Sequence, residues 1–348
     1  MFAVRKEIAQ AVVRVLEIRL GAARGPLVRP PTADLTAYDL YLKGRYVRRR
    51  FNAEDLKRAI GYFEQAIARD PEYARAHAAL SDAHTLLAVF AGRPALQQLP
   101  AARESARRAV ELDGMLADAH WALAHVALAL ELDLPSAGRA FRRALELDPG
   151  HGDARHMYGI WLLDFGRFEE AVAEITRALA ADPLLAEASM TLGRAYTAMG
   201  RADRAVPHLL EALELSPEFT YAREQLAHAY LQLGRPDAAD AECERAATVG
   251  GAREAAVLAY AYAVTGRRHE ALGIVRDLTR RGDRYTPPCH VAMALAGLGD
   301  AETTLAWLER AFSEHDPHVT GLAILPAFEP LRADPRFAAL VRRLGVEP

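Results

Sequence analysis

Twelve histidines and two cysteines are the side chains best suited to metal or redox chemistry in this chain. A helical metal site needs ligands four apart on one face. His120 and His125 are five apart, as are His151 and His156, so each pair diverges around a helix. No HExxH occurs, and the histidines are expected to be solvated or to line a groove; no metal and no cofactor are expected. Cys243 and Cys289 lie far apart without a CxxC, and buried free thiols are expected. The sequence holds no G-x-S-x-G, no Walker loop and no G-x-G-x-x-G. Carboxylate pairs such as Glu169-Glu170 fall where a solvated helix face is expected. The chain is therefore expected not to be an enzyme, and no catalytic residue is assigned.

Composition points the same way. Of 348 residues 51% are apolar but only 7% aromatic, so Ala and Leu must build much of the core, which suits thin, closely packed helices better than a sheet. The net charge of −3 argues against nucleic acid or a membrane surface as a chain-wide partner. Among 43 basic residues only Lys6, Lys43 and Lys57 are lysines, a skew that reads as the coding bias of a GC-rich bacterium. Lys43–Arg58 carries a local +5 with Tyr46 and Phe51 interleaved; a solvated capping face is expected there rather than a nucleic-acid contact. Charges at Arg5, Lys6 and Glu7 stand where a signal peptide needs apolar residues, and no apolar run reaches the roughly 18–20 residues of a membrane span. A cytoplasmic location is expected.

What must position any site is a repeat. Pro149, Pro183, Pro217 and Gly251 follow one another at intervals of 34 residues. Between them one skeleton recurs: Tyr158-Gly159…Leu162 then Ala171…Ile175…Ala178; Leu192-Gly193…Tyr196 then Ala205…Leu209…Ala212; Leu226-Ala227…Tyr230 then Ala239…Cys243…Ala246. The small residue after the first large one lets two helices approach closely. Gly166, Gly200 and Gly234 end the first helix of each pair, and the closing Pro ends the second. Weaker copies end at Pro71, Gly114 and Pro149 upstream, and two more run from Leu258 to Leu278 and from Ala292 to Phe312. Phe90–Pro100, with Gly92, Pro94 and Pro100, reads as a lengthened loop between helices.

This pattern resembles the tetratricopeptide repeat (TPR), L-G-x2-Y followed by A-x3-F-x2-A-x4-P. The resemblance implies an all-α fold: a right-handed TPR superhelix, or α-solenoid, of about seven to eight helical hairpins plus an N-terminal helix. The expected organisation is an amphipathic helix in residues 1–24, a linker in 25–36 and the solenoid with capping helices in 37–348. A finer resemblance lies at the ends. Phe2-Ala3-Val4-Arg5-Lys6-Glu7-Ile8-Ala9, Ala37–Tyr46, Trp307–Ala311 and Phe328–Phe337 are similar to segments of bacterial multidomain regulators. Those join a TolB-like domain to a TPR arm beside adenylate cyclase-type, kinase-type or winged-helix effectors. It implies that residues 1–24 are a remnant of the TolB-like domain and that the chain is a detached sensor or regulatory arm in signalling.

Within a TPR the concave face takes positions 2, 5, 9 and 12 of each first helix. That selects Trp121, His125, His156, Met190, Arg194, Tyr221, Glu224, His228 and Tyr260 as a groove for a peptide or a partner domain. The paired Lys and Asn that clamp a carboxyl terminus in chaperone-binding TPRs are missing from these positions. The leading expectation is a protein-interaction scaffold, with neither nucleic acid nor membrane as partner. Self-association is expected through the apolar stripe of residues 2–20, Ile8, Val12 and Leu20 among them.

Overall fold

The computed structural model describes residues 32–49, 53–90, 94–280 and 285–346. The helix expected in 1–24, most of the linker and the self-association stripe lie outside the described residues. What is described of the expected linker is already packed. Thr32 donates to Asp70 at 2.6 Å, and Asp34 caps a helix that starts at Leu35 by accepting from the backbone of Thr36 and Ala37.

Among the described residues there are no strands, and seventeen α-helices form eight hairpins and a cap. The hairpins pair α1 (Leu35–Arg48) with α2 (Ala53–Arg69), α3 (Ala74–Phe90) with α4 (Ala95–Leu112), and α5 (Ala117–Val126) with α6 (Leu134–Leu147). Next come α7 (Gly152–Asp164) with α8 (Phe168–Ala181), α9 (Ala186–Ala198) with α10 (Ala202–Leu215), and α11 (Thr220–Gln232) with α12 (Pro236–Val249). The last are α13 (Ala252–Val264) with α14 (Arg268–Arg280), and α15 (Pro288–Gly297) with α16 (Ala301–Ser313). Two 3-10 turns, Pro317–Gly321 and Pro326–Leu331, lead to α17 (Pro335–Arg343). None of these helices is long and apolar enough to cross a membrane.

The expected loop at Phe90–Pro100 does not extend to Pro100, and residues 91–93 lie outside the described residues. Helix α3 runs to Phe90, α4 begins at Ala95, and Pro100 sits inside it. A proline this near a helix start forfeits one bond, here to the carbonyl four residues back, without ending the helix.

The regular units show why the repeat folds as it does. At the end of α7 the Arg167 N–H reaches the Leu162 carbonyl and the Gly166 N–H reaches Leu163, both at 2.9 Å. The same pair of bonds closes α9 through Arg201 and Gly200 and α11 through Arg235 and Gly234. These turns need φ near +70°, and Gly166, Gly200 and Gly234 supply 70°, 71° and 67°. Second helices end in an aspartate turn: Asp70, Asp113, Asp148 and Asp182 each accept from the backbone N–H two residues on. Between helices the contact is close. A Cβ on Gly193 would stand 2.4 Å from Leu209 Cγ, while Ala171, Ala205, Ile175 and Leu209 are fully buried.

One unit breaks this rule. Leu132 occupies the place of the turn glycine, at φ 57°. Helix α5 ends in a π-helical turn, Ala127–Glu131, closed by the Asp133 N–H on the Ala127 carbonyl at 2.9 Å. That bond spans six residues where the regular turns span five, so one extra residue is absorbed. There the array closes on itself. His315, the other non-glycine at positive φ (53°), places Nδ1 2.7 Å from the Leu130 carbonyl. Beyond it the 3-10 turns lie across the concave side, with Gly321 against Arg194, and after α17 Gly345 lies against Pro135 of α6. Val319, Leu322, Phe328, Phe337, Leu340 and Leu344 share one apolar core with Trp161, Phe141 and Leu134.

Candidate functional site

The first helices of the hairpins face inward, and with the C-terminal segment they enclose a cavity of about 160 Å³. Its described walls come from α1, α3, α5, α7, α9, α11 and α15, and from Pro317, Thr320, Gly321 and Leu325 of the closure. The 34-residue period builds the wall in columns. Asp153, Glu187 and Tyr221 hold one position in three successive units, and His156, Met190 and Glu224 another.

Of the nine expected groove residues, Trp121, His125, His156, Met190, Arg194, Tyr221 and Glu224 line this cavity. His228 and Tyr260 do not; they are 5% and 8% exposed, their tilted rings pack at 5.5 Å, and Tyr260 shares a core with Cys289 and Met293 of α15. Sequence reasoning missed Asp153 and Glu187, although they sit two periods and one period before the selected Tyr221. It also missed Arg48, Arg49, Cys289, His290 and the closure residues, whose approach depends on the curvature of the whole array.

Charge is distributed along the cavity. At the solvent side Arg49 is exposed, and Asp153 and Glu187 are half-buried. Arg48 is not on a solvated face as expected: its side chain is 14% exposed, stacks over the Trp121 ring at 5.5 Å, and gives Nε to Asp82. Asp82, fully buried, also takes His125 Nδ1 at 2.8 Å. Burial would raise the Asp82 carboxyl, but Arg48 and His125 outweigh it and hold it below the usual range. Burial raises the Glu187 carboxyl, with Asp153 adding to the effect, and its own backbone N–H, Arg48 and Arg49 opposing it.

Deeper in, Arg194 pairs with buried Asp164 at 2.8 Å, yet burial keeps the Asp164 carboxyl raised. Glu224 pairs with Arg253 at 2.8 Å and is likewise raised by burial. Burial depresses His156 to about 4, and His290 falls well below 6.5 for the same reason, so both are neutral near pH 7. Two buried lining groups, Trp121 Nε1 and His290 Nδ1, have no partner among the described residues. Both cysteines are buried and free. Among the described residues no three histidine, cysteine or carboxylate groups converge as a metal would require.

Comparison with known proteins agrees with this architecture. Family models described as tetratricopeptide repeat match residues 47–87, 132–186 and 159–218, and residues 196–251. No curated protein matches the chain. Among solved structures, the Cut9–Hcn1 assembly of the APC/C superposes with a TM-score of 0.58 at 17% identity, over 95% of this chain and 59% of that one. The structure of pilF from Pseudomonas aeruginosa gives 0.44 at 25% identity, over 59% of this chain and 92% of that one. YrrB, described as a TPR protein with an unusual peptide-binding site, gives 0.37 at 20%, over 62% and 97%. With these stretches matched to the repeat and its described helices stacked hairpin on hairpin, the chain has the fold of a tetratricopeptide-repeat α-solenoid.

Proposed function

We propose that the chain is a protein-interaction scaffold that anchors one side chain or chain end of its partner in the concave cavity. TPR arrays present concave binding surfaces built from stacked hairpins. The observation that carries the reading is convergence: seven residues selected by repeat position, from four different hairpins, border one cavity.

Its size sets what enters. At about 160 Å³ it matches the ~150 Å³ that accommodates a single ring, and falls short of the ~300 Å³ where larger ligand sites begin. An extended peptide along the groove would have to displace the C-terminal closure. Each of the six apolar closure side chains named above contributes about 1.5–3 kcal/mol by burial, whereas micromolar binding supplies about 8 kcal/mol. The closure therefore stays, and the partner lies across its mouth.

The test is partner capture by immobilised chain, comparing wild type with Tyr221→Ala and with Ala129→Phe, which fills the cavity. Both variants should lose at least about tenfold in affinity while circular dichroism stays that of the wild type. Equal capture by both would sink the site.

A regulatory arm of a bacterial signalling protein is the second reading. Trp307–Ala311 and Phe328–Phe337 support it as motifs, and their residues Leu308, Phe328 and Phe337 are buried in the closure. In this reading the motif encodes how the array shuts, and the captured partner is a signalling effector domain.

A further inference from the structure

The cavity leaves both signs of charge unspent at the same end. Arg48 gives only Nε to the protein, through Asp82, so its two terminal amino groups hold no acceptor among the described residues. Beside it Trp121 is 5% exposed and its indole N–H has no acceptor among the described residues. These are donors awaiting an anionic group. On the same rim Asp153 and Glu187 have no ion pair and no side-chain hydrogen bond to another residue among the described residues, yet they act on Arg48 through their charge.

A simple anion entering here would meet two carboxylates, and a simple cation two guanidinium groups. A molecule carrying ammonium and carboxylate together answers both sets. Behind this rim the wall turns apolar, with Met157, Met190 and Met293, whose unbranched thioethers adapt to varied shapes.

We propose that the cavity binds a free α-amino acid with an apolar side chain. Arg48 and Trp121 would take its carboxylate, Glu187 and Asp153 its ammonium, and the methionine wall its side chain. This deepens the reading that the cavity is the functional site, and replaces a partner's side chain by a soluble ligand of the same size.

The experiment is isothermal titration of the full chain with L-leucine, L-methionine and L-phenylalanine, each beside its N-acetyl derivative and its amide. At least one free amino acid should bind saturably, and both blocked forms should bind at least about tenfold more weakly. Glu187→Gln, at a half-buried position, should weaken the free amino acid by a similar factor without relieving the loss on N-acetylation. Ala129→Phe should abolish the signal. The proposal is overturned if no free amino acid binds, if blocked and free forms bind alike, or if both variants titrate as the wild type does. Partner capture separates the two ideas: capture that depends on the cavity, with no amino-acid binding, removes this proposal and leaves the scaffold. Amino-acid binding without capture does the reverse.

Discussion

Helices α7–α12 and the closure around the π-helical turn are made from the same kinds of residue, yet they are held by different physics. In α7–α12 the contacts that build the repeat lie within a hairpin or between neighbours: Gly193 on Leu209, Ala171 and Ala205 between helices, glycine turns at a fixed interval. The closure instead joins residues 185 apart, with His315 on Leu130, both flanked by backbone that non-glycine residues seldom adopt. Stacked repeats normally gain stability from nearest neighbours alone. Here a long-range contact is added to that sum, and the contrast shows that the array is also tied end to middle.

The sharpest way to break the contrast is to remove the tie. A chain ending at Glu314 should lose the closure core and open the cavity, lowering the melting temperature by more than about 10 °C. The α7–α12 repeats should keep their helical signal, and the radius of gyration by small-angle scattering should rise. An unchanged melting temperature and radius would mean that the closure is incidental. Phe328→Ala isolates one contact of the same region and should cost about 3–5 kcal/mol in urea unfolding.

Acid sharpens it from the other side. His156 and His228 sit in regular units, and burial depresses both from 6.5 to about 4. As pH falls the unfolded chain takes up protons first, so their contribution is complete above pH 6.5 and is lost between 6.5 and 4. Each is worth about 3 kcal/mol at most. His156→Gln should flatten the decline of melting temperature over that window; an identical slope would place the acid sensitivity elsewhere.

The smallest effect tests the regular units alone. Gly193→Ala forces a Cβ to within 2.4 Å of Leu209 and should destabilise by about 1–3 kcal/mol. Gly61→Ala in α2, where a Cβ meets nothing within 4 Å, should stabilise by about 0.5–1 kcal/mol. Opposite signs in thermal melts support the repeat argument; equal signs contradict it.

The same contrast explains what was legible beforehand. The hairpins, their glycine turns and the burial of Cys243 follow from residues within one period of each other, and the sequence displays that period directly. Seven cavity residues were legible for the same reason, since a column position carries over from unit to unit. Arg48 was misjudged because its partner Asp82 lies 34 residues on in another helix, and a run of basic residues looks solvated when read locally. Pro100 suggested a loop because a proline near a helix start and one in a loop look alike in sequence. The closure carried no period at all. Residues 315–346 pack where the curvature of the array brings them, and nothing in their neighbours encodes that curvature.

The His315–Leu130 link also bears on how the protein is made. Synthesis runs from the N-terminus at about 5–20 residues per second, so α5 to α16 are complete before residues 315–346 emerge. For that interval Trp121, Tyr221, Met190 and Met293 stand uncovered on the inner wall, a sticky surface on a nascent chain. Residues 315–346 seal it, which makes this segment the fold's own escort, made after the walls it covers.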